Sequence, residues 1–256
     1  MDILIFSGQS NMQGQTESLP LARFVENAYE YRLQSHKIIP LAHPVGENLG
    51  EILWGAYEGK GSIVPDFCTS YIEKLKTPVL AVHAARGGTT IREWLPTTER
   101  YNILVKKCKS AILAALHKYE VEKIYFIWLQ GESDAIENTS KQLYKDRMEE
   151  FRENLVKDLE IDGFFIIRVG KFVRDDRDIN IISAQEELCK TDNFVMLTRI
   201  TGLLTESKRF INPFAKGHYN NTATSIIGKI AGENLALFRQ GEQIILEEEP
   251  YSELRK

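Results

Sequence analysis

Short apolar runs alternate with longer amphipathic stretches along most of the chain, and this alternation constrains the fold more than any other feature. Helical patterns separate or follow the runs at Val64–Leu75, Tyr101–Tyr119, Lys141–Leu159, Asp178–Thr191 and Asn221–Arg239. The runs are apolar almost throughout, as expected for strands that are buried on both faces of a sheet. They are Ile3–Phe6, Val79–His83, Ile124–Leu129, Phe164–Val169 and Phe194–Leu197. Alternation of strands and helices predicts a parallel sheet with helices on both faces.

We therefore expect a three-layer α/β/α domain, flavodoxin-like, with a parallel sheet of about five strands. A length of 256 residues suits one domain of this class, so we assign residues 1–256 to a single domain. Asn11–Gly61 is rich in turn residues and is predicted to form loops over one edge of the sheet. Residues 242–256 are predicted to form a tail, in which the acidic run Glu247–Glu249 is a solvated face or a frayed end.

Composition argues against several classes of partner. The formal net charge is −4, and no cluster of Lys and Arg forms a stripe that would follow a phosphate backbone, so we expect no nucleic-acid partner. No apolar run approaches the length of a membrane span. The start, MDILIF, lacks the basic region of a signal peptide, which predicts a cytoplasmic protein. The three cysteines are far apart and give no disulfide framework.

The residues that follow the first strand include a candidate nucleophile. Ligands of open α/β sheets bind outside the carboxyl ends of the strands. The first strand runs into Gly8-Gln9-Ser10-Asn11-Met12. Met12 stands where a GxSxG nucleophile elbow needs its second glycine, so this is not that motif. Taken alone, Ser10 is more typical of a helix cap than of a nucleophile.

Three other segments bring polar groups to the same edge. The Gly87-Gly88 turn leaves backbone amides uncovered, which suits either an oxyanion site or an ordinary tight turn. Gln130, Glu132 and Asp134 follow the third strand, as a helix-capping cluster or as donors and acceptors of a site. His218 lies in a loop before the last helix. No phosphate-binding glycine motif and no metal-binding histidine spacing is present, so a nucleotide-binding domain fits the fold but not the loops.

Together these blocks resemble the SGNH hydrolases, and within them the group that contains sialate O-acetylesterases and acetylxylan esterases. The matching blocks are GQSNM at 8–12, ARGGTTIREW at 85–94, WLQGESD at 128–134 and GHYN at 217–220. The resemblance implies a serine esterase that needs no cofactor and no metal. It implies Ser10 as nucleophile, His218 as base, and an oxyanion hole formed by the amides of Ser10 and Gly88 and the side chain of Gln130. Asn11, Arg86, Arg92 and Trp94 are candidate pocket residues, of which Asn11 and Arg86 are our substrate-binding predictions.

One position departs from the family pattern. Members usually carry Asp three residues before the catalytic histidine, and here that residue is Ala215. Glu132 is our first candidate to orient His218 in its place, followed by Asp134. A backbone carbonyl is a second explanation, and loss of strong activity with retention of a carbohydrate site is a third. We therefore expect an esterase that acts on a small acetylated carbohydrate, with a non-catalytic carbohydrate-binding protein as the alternative.

Overall fold

The strands form one seven-stranded sheet in a computed structural model that describes residues 1–21 and 23–254. In chain order they are β1 (Asp2–Gly8), β2 (Ala28–Arg32), β3 (Lys37–Pro40), β4 (Val79–Ala85), β5 (Lys123–Leu129), β6 (Gly163–Ile167) and β7 (Val195–Thr198). The spatial order is β3-β2-β4-β1-β5-β6-β7, and every neighbouring pair is parallel except β2 with β3. The predicted α/β fold is confirmed, and the sheet is parallel as predicted except for the pair β2 and β3. β1 lies at its centre, which places the residues after Gly8 in the middle of the carboxyl edge.

The predicted number of strands was too low. β2 and β3 lie inside the segment that we expected to form only loops. Their sequences, AYEYR and KIIP, are short and contain charged residues, because these strands lie at one side of the sheet and β3 is partly exposed. A search for continuous apolar runs detects strands buried on both faces and misses strands of this kind.

Eight α-helices accompany the strands within the described residues. They are α1 (Ser10–Gln13), α2 (Val64–Leu75), α3 (Glu99–Leu116), α4 (Glu132–Ile136), α5 (Lys141–Leu159), α6 (Asp176–Leu188), α7 (Ile200–Thr205) and α8 (Asn221–Arg239). The bounds predicted for α2, α5 and α8 are those observed. The helices α3 and α6 each begin two residues earlier and end three residues earlier than predicted. The side chain of Asn220 accepts a hydrogen bond from the amide of Ala223 at 3.0 Å and so caps α8.

The helices α2 and α8 pack closely against each other. A side chain at Gly232 of α8 would place its Cβ 2.2 Å from the carbonyl oxygen of Phe67 in α2. Only glycine permits this approach of the two backbones. Another packed group joins aromatic residues of β5 and β6 to α5: Phe126, Trp128, Phe164 and Phe151. No helix in the two described ranges combines the length and apolarity that a membrane span requires.

The acidic tail is bound to the domain rather than solvated or frayed, so that prediction was wrong for two of its three carboxylates. Glu247 accepts hydrogen bonds from the Thr198 hydroxyl at 2.7 Å and from the Arg199 amide at 2.6 Å. Glu249 pairs with Arg168, whose side chain is fully buried. A buried guanidinium requires carboxylate partners. Glu248 is exposed, as expected.

Candidate active site

Ser10 is the first residue of α1, two residues beyond the end of β1. Its side chain is almost covered, with 6% of the residue exposed. The Gly87-Gly88 turn lies directly beside it, since a Cβ on Gly87 would stand 3.2 Å from the Cβ of Ser10. Two hydrogen bonds hold this turn against β1 and α1: the Arg86 amide donates to Gly8 O at 3.0 Å and the Gly87 amide to Gln13 Oε1 at 2.8 Å. A serine hydroxyl and a glycine turn therefore meet at the centre of the sheet edge.

Two backbone amides at this edge have no acceptor among the described residues. They are the N–H groups of Ser10 and Gly88. Gly88 adopts φ +73°, and no atom lies within 4 Å of the position that its Cβ would occupy. The space next to Gly88 is thus open. Unpaired amides beside a nucleophile are the donors that an oxyanion hole requires.

The side chain of Gln130 is not available in the same way. It is fully buried, and its Nε2 donates to Thr89 O at 2.9 Å and to Asp134 Oδ2 at 2.5 Å, with Gln9 Oε1 at 3.3 Å. An amide nitrogen carries two hydrogens, and both are used inside the protein. The predicted contribution of Gln130 to the oxyanion hole does not fit these contacts. Gln130 instead connects the end of β5 to the glycine turn and to α4.

His218 lies on a loop that folds back on itself between α7 and α8. An isolated bridge pairs Ile211 with Tyr219, and the Asn212 amide donates to His218 O at 2.8 Å. His218 Nδ1 lies 3.3 Å from Ala215 O. Burial lowers the pKa of His218, while the carbonyls of Ala215 and Lys216 oppose that change. The imidazole is therefore predominantly neutral at pH 7, and a proton on Nδ1 facing Ala215 leaves the lone pair on Nε2.

No hydrogen bond joins His218 to Ser10 within residues 1–21 and 23–254. Catalytic hydrogen bonds of ligand-free enzymes are often long and shorten when substrate binds.

Glu132 does not contact His218 by a hydrogen bond. Its Oε1 accepts from Asn11 Nδ2 at 2.6 Å, and its Oε2 is buried with no partner among the described residues. Burial, helped by the carboxylates of Asp178 and Asp134 and opposed by the hydrogen bond from Asn11, raises the pKa of Glu132 to about 7. Our prediction that Glu132 orients His218 does not fit this geometry. The position of Ala215 O agrees with the second explanation, a backbone carbonyl.

Asp134, the next candidate, is also occupied elsewhere. Its Oδ2 accepts from the amide of Ile91 at 2.8 Å and from Gln130, and its Oδ1 accepts from Thr139 at 3.0 Å. Burial raises the pKa of Asp134, and these hydrogen bonds oppose the change. Asp134 thus connects the segment 85–94, which contains the Gly87-Gly88 turn, to α4. It makes no hydrogen bond to the histidine loop, residues 206–220, which carries His218.

Asn11 is a connecting residue rather than a ligand-binding one. It is 3% exposed; its Nδ2 donates to Glu132 and to Gly217 O at 3.3 Å, and its Oδ1 accepts from the Tyr219 amide at 3.2 Å. Both polar atoms of its side chain are therefore bonded within the protein. The predicted role in substrate binding does not fit these contacts, which instead join the residue after Ser10 to Glu132 and to both neighbours of His218.

Arg86 lies at the start of the glycine turn and stacks on an aromatic ring. Its guanidinium carbon is 3.6 Å from the ring centroid of Trp54, and its Nε donates to Glu51 O at 3.0 Å. The side chain is partly exposed and faces the highly exposed carboxylate of Glu51 at 3.5 Å. Trp54 was not among the predicted site residues, because it lies in Asn11–Gly61, which was predicted to form loops. The sequence signal that could have indicated Trp54 was a large aromatic residue in a segment that also contains Gly46, Gly50 and Gly55.

Two other sequence expectations concern residues near the turn. Trp94 is fully buried, with its Nε1 donating to the Thr89 hydroxyl at 3.0 Å, so it is a core residue and not a pocket residue. Arg92 is exposed. A groove of about 880 Å³ lies between α2 and a segment that contributes residues 20, 21 and 23–27, and none of the residues predicted for the site lines it. Over the described ranges, no group of three or more His, Cys, Asp or Glu side chains is arranged to hold a metal ion.

Several known proteins are similar to this chain in sequence or in structure. A probable carbohydrate esterase of Arabidopsis thaliana is 25% identical over 188 residues, which is 66% of this chain and 68% of that protein. Its crystal structure superposes with a TM-score of 0.68 at 18% identity, covering 93% of this chain and 98% of that one. NanS superposes with a TM-score of 0.66 at 16% identity, and the superposition covers 93% of this chain and 97% of NanS.

A carbohydrate acetylesterase of Xanthomonas citri gives a TM-score of 0.59 at 12% identity, covering 95% of this chain and 58% of its own. At these identities the solved structures establish the fold alone. The family is shown by the sequence itself, because the family described as carbohydrate esterase, sialic acid-specific acetylesterase, matches residues 1–235. The chain therefore belongs to this family of carbohydrate esterases and is a carboxylic ester hydrolase.

Proposed function

We propose that the protein removes acetyl groups from a small acetylated carbohydrate, with Ser10 as nucleophile and His218 as general base. The observation that carries the proposal is the position of Ser10, at the carboxyl end of the central strand and against the Gly87-Gly88 turn. The unpaired amides of Ser10 and Gly88 form the proposed oxyanion hole. We leave Gln130 out of that hole because its amide hydrogens are bonded elsewhere.

The chemistry follows from these groups. Ser10 Oγ attacks the carbonyl carbon of the acetyl ester while His218 Nε2 takes the hydroxyl proton, since a serine hydroxyl is a weak nucleophile without a base. The two amides stabilise the tetrahedral oxyanion. The imidazolium then gives its proton to the departing sugar oxygen, which leaves an acetyl group on Ser10. A water molecule, deprotonated by His218, releases acetate and restores the enzyme.

In this proposal a Ser–His dyad replaces the triad. The Ala215 carbonyl, at 3.3 Å, accepts from Nδ1 and selects the tautomer with a basic Nε2. A neutral carbonyl stabilises the imidazolium less than a carboxylate does. Because loss of the correct orienting group lowers kcat by about ten-thousand-fold in a triad enzyme, we expect turnover well below that of a triad esterase.

The proposed substrate class has two supports. The family and the Arabidopsis relative are described as carbohydrate esterases, and the Xanthomonas protein as a carbohydrate acetylesterase. Next to the glycine turn, Arg86 and Trp54 present a partly exposed guanidinium stacked on an aromatic ring. Such a surface offers hydrogen-bond donors to hydroxyl or carboxylate oxygens and an apolar face to a sugar ring.

The test is esterase activity that depends on Ser10. We expect the wild type to hydrolyse p-nitrophenyl acetate and to release acetate from acetylated monosaccharides, and Ser10→Ala to lose at least about a thousand-fold in kcat. Ser70→Ala, a partly exposed serine of α2, is the matched control and keeps wild-type rates. Equal rates for Ser10→Ala and the wild type would overturn the proposal. Sugar binding without turnover in the wild type would instead support a carbohydrate-binding protein.

A further inference from the structure

Two side chains attach the loop that carries His218, residues 206–220, to the segment around Ser10: Asn212, whose Nδ2 donates to Gln15 O at 2.7 Å, and Asn11, the one of the two that contacts the neighbours of His218. Asn11 follows Ser10 directly, and its side chain bonds the residues on both sides of His218. Its Nδ2 lies 3.3 Å from Gly217 O, and its Oδ1 accepts from the Tyr219 amide at 3.2 Å. These contacts span more than 200 positions of the sequence. The relative position of the proposed nucleophile and base therefore depends on the conformation of Asn11.

Glu132 fixes that conformation. Its Oε1 accepts from Asn11 Nδ2 at 2.6 Å, shorter than the two bonds to the histidine loop. If the amide of Asn11 were rotated by half a turn, its oxygen would face two acceptors, Glu132 Oε1 and Gly217 O, and its nitrogen would face the Tyr219 amide. An amide in that orientation makes none of the three hydrogen bonds. Glu132 thus selects the one orientation that holds both neighbours of His218.

The burial of Glu132 indicates that its hydrogen bond with Asn11 has a functional role. Only 6% of the residue is exposed, and its Oε2 is buried without a partner among the described residues. Burying an unpaired carboxyl oxygen lowers stability. Buried carboxyl groups with strongly shifted pKa values, such as Glu132, are concentrated at functional sites.

We propose that Asn11 and Glu132 form a positioning pair, which sets the distance and direction from His218 to Ser10 by holding the main chain on both sides of the histidine. The inference rests on the proposed function, since it concerns the geometry of the same two catalytic groups. The pair achieves through backbone attachment part of what a triad carboxylate achieves by direct contact with the imidazole. Neither residue touches the substrate.

The pair also gives the site a dependence on pH. The ionisable groups near Glu132 are Asp134 on its own helix, Asp178 of α6, Tyr144 of α5 and Tyr219 of the histidine loop. Burial raises the pKa of Glu132 to about 7, and the two aspartates act in the same direction. A carboxylate accepts a stronger hydrogen bond than a neutral carboxyl group does. The pair therefore holds Asn11 more firmly as the pH rises through 7.

Steady-state kinetics on p-nitrophenyl acetate test the pair. We expect Asn11→Ala and Glu132→Ala to lower kcat by about ten- to a hundred-fold, with KM changed less than about threefold. Asn11→Asp places two carboxylates in contact and lowers kcat further. In the double variant Asn11→Asp/Glu132→Gln, the glutamine donates to the aspartate, and we expect recovery of at least about tenfold over Asn11→Asp alone.

The pH dependence of kcat in Glu132→Gln distinguishes a positioning role from a purely structural one. Its amide oxygen accepts from Asn11 at every pH, so we expect near wild-type kcat at pH 8 and loss of the component of the pH profile near 7. Tyr101→Phe is the matched control for stability. Tyr101 is a buried residue of α3 whose hydroxyl donates to Asp158 at 2.7 Å. We expect the Tyr101→Phe substitution to lower the melting temperature without lowering kcat.

The outcomes separate this inference from the proposed function. If Ser10→Ala abolishes turnover while Asn11→Ala leaves kcat unchanged, the positioning pair is overturned and the esterase stands. The pair is also overturned if the losses of kcat in Asn11→Ala and Tyr101→Phe are proportional to their decreases in melting temperature. It is overturned as well if Asn11→Asp/Glu132→Gln has no higher kcat than Asn11→Asp alone. Equal turnover of Ser10→Ala and the wild type overturns both proposals.

Discussion

The Nδ1 atom of His218 lies 3.3 Å from the carbonyl oxygen of Ala215, three residues earlier in the chain. This carbonyl belongs to the residue at which the family pattern has an aspartate. A backbone oxygen at that position accepts the Nδ1 proton but carries no net charge. The histidine, which is the proposed general base, therefore keeps a basic Nε2 but has no carboxylate partner on Nδ1 within the described residues.

Introducing the missing carboxylate should strengthen the base. In Ala215→Asp, an aspartate next to the imidazole favours its protonated form, so we expect the pKa of His218 to rise and kcat on p-nitrophenyl acetate to increase by about tenfold. Ala215→Asn has nearly the same shape without the charge and serves as the control. A drop in kcat for the aspartate variant, with the fold intact by circular dichroism, would show that the carbonyl is the better partner here.

The titration of His218 tests the neutral environment directly. Burial lowers its pKa, and the carbonyls of Ala215 and Lys216 only partly oppose that effect. We expect the His218 imidazole resonance to titrate with a midpoint below 6.5, measured by NMR and assigned by its disappearance in His218→Asn. In Ala215→Asp the midpoint should move upward. A wild-type midpoint above 6.5 would mean that a carboxylate, and not a carbonyl, faces the ring.

Much of this architecture could be predicted from the sequence, because strand and helix patterns are local. The bounds of α2 and α8 follow from apolar periodicity, and the central strand brings Ser10 to the sheet edge by topology. The hydrogen-bond partners of the site side chains could not be predicted, because they belong to segments that are remote in the chain. Gln130 and Glu132 leave the same strand end, yet each bonds a residue that the sequence does not place next to it: Thr89 and Asn11.

The free energy of unfolding should depend on the protonation of Glu132. Its pKa is raised from 4.5 to about 7 in the folded state, so the stability it contributes is complete below pH 4.5 and is lost as the pH rises through 7. The loss amounts to roughly 3 kcal/mol. We expect Glu132→Gln to gain stability relative to the wild type by about this amount between pH 4.5 and pH 8, measured by urea denaturation.

Comparison with a second variant isolates the effect from other carboxylates. Asp134 and Asp178 also have raised pKa values, and both remain in Glu132→Gln, so the difference between wild type and variant cancels their contributions. Glu137→Gln alters an exposed carboxylate just after the same helix and should follow the wild-type curve. A difference between Glu132→Gln and wild type that stays constant from pH 4.5 to 8 would contradict the raised pKa of Glu132.

The acidic tail contributes a carboxylate to a buried ion-pair cluster. Glu249 and Glu186 both pair with the buried guanidinium of Arg168, and Glu186 also binds Arg199 at 2.6 Å. Removing one partner of a buried charge is strongly destabilising, by about 3–5 kcal/mol when no other partner remains. Because Glu186 stays in place, we expect Glu249→Gln to lower the free energy of unfolding by about 2 kcal/mol. Urea denaturation at pH 7 measures the change.

The neighbouring residue provides the control for this change. Glu248→Gln removes the same charge from an exposed position in the same run, so its effect should stay within about 0.5 kcal/mol. Esterase activity should be unchanged in both variants at temperatures where they are folded, since the tail contacts β7 and α7 rather than the Ser10 edge. Equal stability of Glu249→Gln and Glu248→Gln would mean that Glu186 alone neutralises Arg168, and that the tail is bound chiefly through Glu247 and Tyr251.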